Sequence, residues 1–269
     1  MIYCVWYPSG GFGHFVNAVL SLYGKNFVRP QGALNFSSNG NSHSLDLVVP
    51  KYYKNCWPFE FEFDQNKNYS MLVDNGITDE NEDFKNKFPK ATVIKICYSN
   101  HSWPVVARSM IEKAMVSDIA TQLPSWNNVD WAVREKYFLF LRDHDFRSAW
   151  QPRDDLVVHV DNLFEYTSFY NALESAGVEL DNFEATWNHW RSSNDLYINP
   201  VQTAQKIIDA VKQNINLDLS DINDLWTQAV IYYFIWLEFD VEVPHNDYAN
   251  FFSNTDQIKK LIYETTHAG

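Results

Sequence analysis

Cysteine is scarce: Cys4, Cys56 and Cys97 are the three in 269 residues. They are odd in number, far apart and set among apolar or aromatic neighbours. Neither a disulfide framework nor a thiolate metal site is expected from such spacing. Buried, reduced thiols in a reducing compartment are. Long hydrophobic runs are also lacking. The longest, residues 229–237, falls far short of the ~20 residues that cross a bilayer. No secretory signal is read ahead of the first strand-like run, so the expectation is a soluble cytoplasmic chain with no membrane partner. Positive charge is short as well. The 21 Lys and Arg stand against 34 Asp and Glu, a net charge of −13. A nucleic-acid surface needs a basic stripe, so nucleic acid is not an expected partner. Any anionic ligand must then be held by backbone amides and a few cations.

Aromatic residues, by contrast, are abundant, with ten Trp, fifteen Tyr and nineteen Phe. They predict a large core, with stacking faces as the alternative use. At this length a chain buries enough surface to need no metal or disulfide staple. Residues 2–7 form a short apolar run of the kind that fills a central strand. From Phe12 the period changes: Phe12, Phe15, Val16, Val19, Leu20 and Tyr23 fall at helical spacing, and Gly24 supplies a stop. Further strands are expected at 45–49, 59–63, 71–74, 92–97 and 156–160. Helices are expected at 78–88, 105–123, 131–150, 164–176, 201–211 and 222–239. Strands alternating with helices predict an α/β fold, three layers α/β/α around a central, mainly parallel sheet. No linker is evident. The chain reads as one domain, residues 1–165 an α/β core and 166–269 a C-terminal helical layer.

The most informative segment is Tyr7-Pro8-Ser9-Gly10-Gly11-Phe12-Gly13-His14, the bend between the first strand and the first helix. Glycine there permits positive φ and lets main-chain N–H groups approach a ligand. The unpaired amides of a helix's first turn, with its positive dipole end, favour an anion. A plain turn that needs glycine for packing is the alternative. A nucleoside triphosphatase loop is excluded, because it requires Gly-Lys followed by Ser or Thr, and no lysine precedes Lys25.

This segment resembles the phosphosulfate-binding loop of the sulfotransferase family, Tyr-Pro-Lys-Ser-Gly-Thr-Thr-Trp, which directly follows the first strand. Two further segments are similar to family motifs. Thr92-Val93-Ile94-Lys95-Ile96-Cys97-Tyr98 resembles the strand whose following helix supplies an Arg and a Ser to the donor's 3′-phosphate; Arg108 and Ser109 stand near the matching helix start. Val158-His159-Val160-Asp161-Asn162-Leu163 resembles the strand ending in Glu-Asp-Leu. The resemblance covers about residues 1–165 and extends to the sulfotransferase-like proteins carried by cyanobacterial phages. It departs from the family at the loop lysine, which is absent, and at Tyr98, where an arginine is usual.

The resemblance implies a P-loop-like fold and a sulfotransferase that moves a sulfuryl group from 3′-phosphoadenosine 5′-phosphosulfate (PAPS) to a hydroxyl of a small, phenolic or other, acceptor. The product is 3′-phosphoadenosine 5′-phosphate (PAP), and no metal takes part. It implies donor contacts from Pro8, Ser9, Gly10, Gly11, Phe12, Gly13, His14, Arg108 and Ser109. For the base, His14 lies in the helix's first turn, His43 in the polar loop before a strand, and Asp74 at the family's histidine position after residues 71–73. Asp74-Asn75-Gly76 is also ordinary turn chemistry, and Arg108 has an ordinary helix partner available in Glu112. His101, in Ser99-Asn100-His101-Ser102, is a weaker phosphate contact. Two other readings stay open. Gly10-Gly11-Phe12-Gly13-His14 also resembles the Gly-Gly-Leu-Gly-Asn loop of fucosyltransferases, and a relative that lost the lysine could bind nucleotide without catalysis.

Overall fold

The computed structural model describes residues 1–7, 10–30, 48–49, 62–73, 82–114, 130–143, 156–244 and 250–267. For residues 82, 83, 85, 112–114 and 130–132 it describes the backbone. The expected elements at 45–49 and 59–63 fall largely outside these residues, and 48–49 and 62–63 are not strand.

Among the described residues four strands form one sheet: β1 (Ile2–Trp6), β2 (Tyr69–Val73), β3 (Thr92–Cys97) and β4 (Leu156–His159). Their order is β2-β1-β3-β4, and every pairing is parallel. The protein is therefore an α/β fold, as the alternation of strand and helix patterns predicts. β4 ends one residue earlier than expected, because Val160 opens a helical turn, α5 (Val160–Leu163). The chain groups into two compact units, Met1–Tyr98 with Arg147–Asp195, and Ser99–Phe146 with Leu196–Gly269.

In the first unit, helices cover both faces of the sheet. Alternation along the strands decides which residue meets which helix. Tyr3 pairs with Ser70 and faces one side, where the Ser70 hydroxyl donates to the Asn17 carbonyl, 3.3 Å away, on α1 (Gly13–Tyr23). Cys4 pairs with Met71, and Trp6 with Val73. These face the other side, in a core with Phe84 of α2 (Glu82–Lys87) and with Phe88. Trp6 and Phe84 stack with ring centroids 5.6 Å apart. The connection leaving β1 runs through α1 to β2 on one flank, while β3 leads towards β4 on the other. β1 and β3 thus flank the topological switch point, where open parallel sheets bind ligands beyond the strands' carboxyl ends.

Helices α5, α6 (Tyr166–Ser175) and α7 (Glu184–Ser193) complete this unit. The Glu165 carboxylate caps α6 by accepting from the Thr167 and Ser168 amides, and hydrogen bonding from Ser168, side chain first and then amide, with Thr167 after it, holds its pKa below the usual range. Helix α7 had no counterpart among the expected elements. An aromatic cluster ties it down: Trp190, 1% exposed, stacks nearly coplanar on Phe15 at 3.9 Å, 4° between planes, and also touches Phe164 and Phe12. The Trp187 indole donates to the Leu163 carbonyl at 2.8 Å.

The second unit is helical among its described residues. It contains α3 (Trp103–Ala114), α4 (Asp130–Asp143), α8 (Asp195–Lys212, whose first residue belongs to the first unit), α9 (Leu225–Phe239) and α10 (Thr255–His267). Helix α9 is apolar all round, as a central helix must be, and packs along α4. Asp224 caps it through the Thr227 amide at 2.8 Å. Ser99 and Ser102 exchange amide-to-hydroxyl bonds of 2.8 and 3.2 Å, a capping box built from two serines ahead of α3. Among the described residues no helix is long and apolar enough to cross a membrane.

Truncating a fully buried tryptophan leaves a cavity that such a packed cluster cannot close. Trp190→Ala is expected to lower the unfolding free energy by about 3–5 kcal/mol in urea titration. A loss under about 1 kcal/mol would mean that α7 is not held by this cluster.

Candidate functional site

The glycine loop leaves the carboxyl end of β1 and opens α1, as its sequence predicts. Of its residues, Gly10, Gly11, Phe12, Gly13 and His14 are described; Pro8, Ser9 and the candidate bases His43 and Asp74 lie outside the described residues. Two residues carry the left-handed turn, Gly10 at φ 81° and Phe12 at φ 59°. For a phenylalanine this conformation costs roughly 1–2 kcal/mol. Its ring meets Phe164 at 5.5 Å and Trp190 at 5.6 Å, both edge-on, and that packing offsets the strain. Gly13 has a different reason to be glycine: a Cβ there would overlap the Tyr7 ring. It is required by packing under the loop, the role the alternative reading had assigned to it.

Phe12 is the N-cap residue, and its carbonyl accepts from the amides of Phe15 at 2.9 Å and Val16 at 3.3 Å. Those two amides are thus engaged within the helix. Gly10, Gly11 and Gly13 are buried, and among the described residues their amides make no hydrogen bond. Buried amides normally find acceptors. Three in one bend, beside the positive end of α1, form a cradle suited to an oxyanion. His14 is the second residue of α1, its imidazole edge-on to Tyr7 at 6.0 Å.

One cation is seated beside the cluster that holds the loop. The Arg191 guanidinium lies over the Phe164 ring at 5.3 Å, its Nε donates to the Phe164 carbonyl at 3.3 Å, and it pairs with Asp195. Burial pulls its pKa below the ordinary arginine value. Sequence reasoning passed over Arg191, since nothing local marks it; only the return of α7 to the loop does.

Arg108 and Ser109 belong to α3, in the second unit. The Arg108 guanidinium lies 5.5 Å from the centre of the Trp226 ring, so it is no plain surface arginine. Ser109 is 1% exposed, and among the described residues its hydroxyl has no hydrogen-bond partner. His101, in the same unit, meets Glu238 at 2.6 Å, and Glu238 also accepts from Lys212 at 2.5 Å. These two bonds, Lys212 foremost, hold the Glu238 carboxylate below its usual pKa. A groove of about 490 Å³ along α8, lined by Gln205, Lys206, Asp209 and Gln213 among others, shares no residue with these candidates. Among the described residues no group of three or more His, Cys, Asp or Glu is placed to hold a metal ion. Burial drives the Cys4 thiol pKa well above the ordinary value, so Cys4 is not a reactive thiolate.

Compared with family models, curated proteins and solved structures, the chain matches none.

Two outcomes test this geometry. Gly13→Ala should destabilise by about 1–3 kcal/mol through overlap with Tyr7. A double-mutant cycle with Tyr7→Ala should recover part of that loss, whereas additive effects would remove the steric explanation. Because the folded-state pKa of Glu238 is depressed, its ion pairs stabilise above the ordinary carboxylate pKa and lose this as pH falls through the folded value. Wild type should therefore lose up to about 1 kcal/mol more than Glu238→Gln between pH 6 and pH 3, read by denaturant titration.

Proposed function

We propose that the protein is a PAPS-dependent sulfotransferase acting on the hydroxyl of a small acceptor. The observation that carries this reading is the glycine loop at the switch point of a parallel sheet, where Gly10, Gly11 and Gly13 are buried and their amides make no hydrogen bond among the described residues. It fits the terminal phosphosulfate of such a donor, which offers acceptor oxygens and negative charge and needs donors in return. The sequence resemblance across residues 1–165 supplies the choice of donor, and a P-loop-like fold, PAP as product and a cytoplasmic setting belong to the same reading.

Sulfuryl transfer is an in-line displacement. The acceptor oxygen bonds to sulfur as the bond from sulfur to the bridging phosphate oxygen breaks, and PAP departs with that electron pair. Loop amides of Ser9, Gly10, Gly11 and Gly13 would hold the phosphate and spread the charge that builds on the bridging oxygen. The acceptor's proton must pass to a base, for which His14, His43 and Asp74 are the candidates. Arg108, whose planar fork matches phosphate oxygens, would bind the 3′-phosphate with Ser109.

The test is a melting series with PAP, with GDP- and UDP-sugars, and with ATP and magnesium, followed by sulfonate transfer from PAPS to a panel of phenols and alcohols. PAP at saturation should raise the melting temperature by several degrees, and nucleotide sugars should not. Stabilisation by nucleotide sugars instead would make the protein a glycosyltransferase, and a PAP response without transfer a non-catalytic binder. Among His14→Ala, His43→Ala and Asp74→Asn, the variant lacking the base should lose about 10²- to 10⁴-fold in kcat and keep its PAP response.

A further inference from the structure

Helix α7 presents two donors, one turn apart, to the end of α5. That helix is four residues long, so its last carbonyls must find donors elsewhere. The Trp187 indole serves the Leu163 carbonyl at 2.8 Å, and Arg191 Nε serves the Phe164 carbonyl at 3.3 Å. The same guanidinium lies over the Phe164 ring at 5.3 Å, and its far end pairs with Asp195, four residues on. A planar fork can stack on a ring, donate from Nε and bind a carboxylate at once; an ammonium cannot. Only 17% of the Arg191 side chain is exposed, so the residue is built into this corner of the first unit.

From Phe164 the contacts lead on to the glycine loop. Phe164, 7% exposed, meets the Phe12 ring edge-on at 5.5 Å, and Trp190, next to Arg191 in the chain, meets it edge-on at 5.6 Å. Phe12 stands between Gly11 and Gly13 at φ 59°, a conformation that a bulky L side chain keeps only when its surroundings impose it. Its carbonyl opens the hydrogen-bond ladder of α1. Rotation at Phe12 out of the left-handed region would turn the adjoining peptide groups, the Gly13 amide among them. The direction of the loop amides therefore depends on how firmly the Phe12 ring is held.

We propose that Arg191 is a positioning residue for the oxyanion loop: by clamping Phe164 it holds Phe12 in the left-handed turn that sets the direction of the loop amides. This rests on the reading that the loop holds an oxyanion. It adds a residue that shapes the loop from outside, through Phe164 and Phe12, without touching the ligand.

The test pairs two substitutions. Glycine adopts positive φ unaided, so Phe12→Gly frees the turn from its aromatic supports. PAP and, separately, inorganic pyrophosphate are titrated calorimetrically into wild type, Arg191→Met, Arg191→Lys, Phe12→Gly and the double variant Phe12→Gly with Arg191→Met. The Gly11 and Gly13 amide signals of each free protein are recorded by NMR. Arg191→Met should bind PAP about fivefold more weakly or worse, and Arg191→Lys should fall with it, because the fork rather than the charge does the clamping. In the Phe12→Gly background the same Arg191→Met change should cost less than about twofold, and the shift it causes in the glycine amide signals should disappear. Equal losses in both backgrounds, no loss in either, or wild-type binding by Arg191→Lys each overturn the proposal. Should wild type bind neither anion, the oxyanion reading falls, and the amide signals alone decide the positioning role. If Arg191→Met does not fold, Arg191→Lys takes its place in the cycle and the same outcomes decide.

Discussion

Everything in the first unit is arranged around one strand whose backbone is satisfied on both edges. β1 pairs with β2 along one side and β3 along the other, so neither its amides nor its carbonyls face water. Such a strand must also be buried on both faces, and its residues 3–6 are. The chain that leaves it turns through a glycine-rich bend in which Gly10, Gly11 and Gly13 are buried. The amides of those three glycines make no hydrogen bond among the described residues. The functional reading and the architecture therefore share a single origin in hydrogen-bond bookkeeping at the end of β1.

A second theme is how a chain poor in positive charge seats the cations it has. Lys95 lies over Trp6, Arg108 over Trp226, Arg134 over Phe251, Arg142 over Phe138, Arg191 over Phe164 and Lys212 over Phe239. The aromatic wealth of the sequence reads as core, and core it is: Trp103, Trp190 and Trp226 are among the largest buried side chains. Yet ring faces also act as platforms that fix flexible cationic side chains in place. A guanidinium or ammonium held this way is partly desolvated, which strengthens its pull on a nearby anion.

Elements with a strong apolar period were legible in the sequence. β3 spans the residues its apolar run marks, and α1 begins one residue after Phe12, where the period changes. Helices α7 and α10 were not anticipated. Each shows few apolar residues, and what fixes α7 is Trp190 finding Phe15, a partner far away in sequence that no window of residues contains. The loop was legible as a loop, but two of its details were not. No local rule puts a phenylalanine in the left-handed region; Phe12 is there because Phe164 and Trp190 hold its ring. Gly13 also packs against Tyr7, six residues earlier in the chain, a contact that the glycine pattern alone does not announce.

The position of β1 also bears on how the chain reaches this state. Of the four strands it leaves the ribosome first, and both its partners arrive much later, at residues 69–73 and 92–97. Until then a nearly all-apolar ribbon must travel with two open edges, and no hairpin can shelter it because its neighbours run in the same direction. Assembly of the sheet has to wait for distant segments, the slow route to a native topology and the one most exposed to misassociation. Slow and exposed assembly is the cost of placing an early strand in the middle of a parallel sheet.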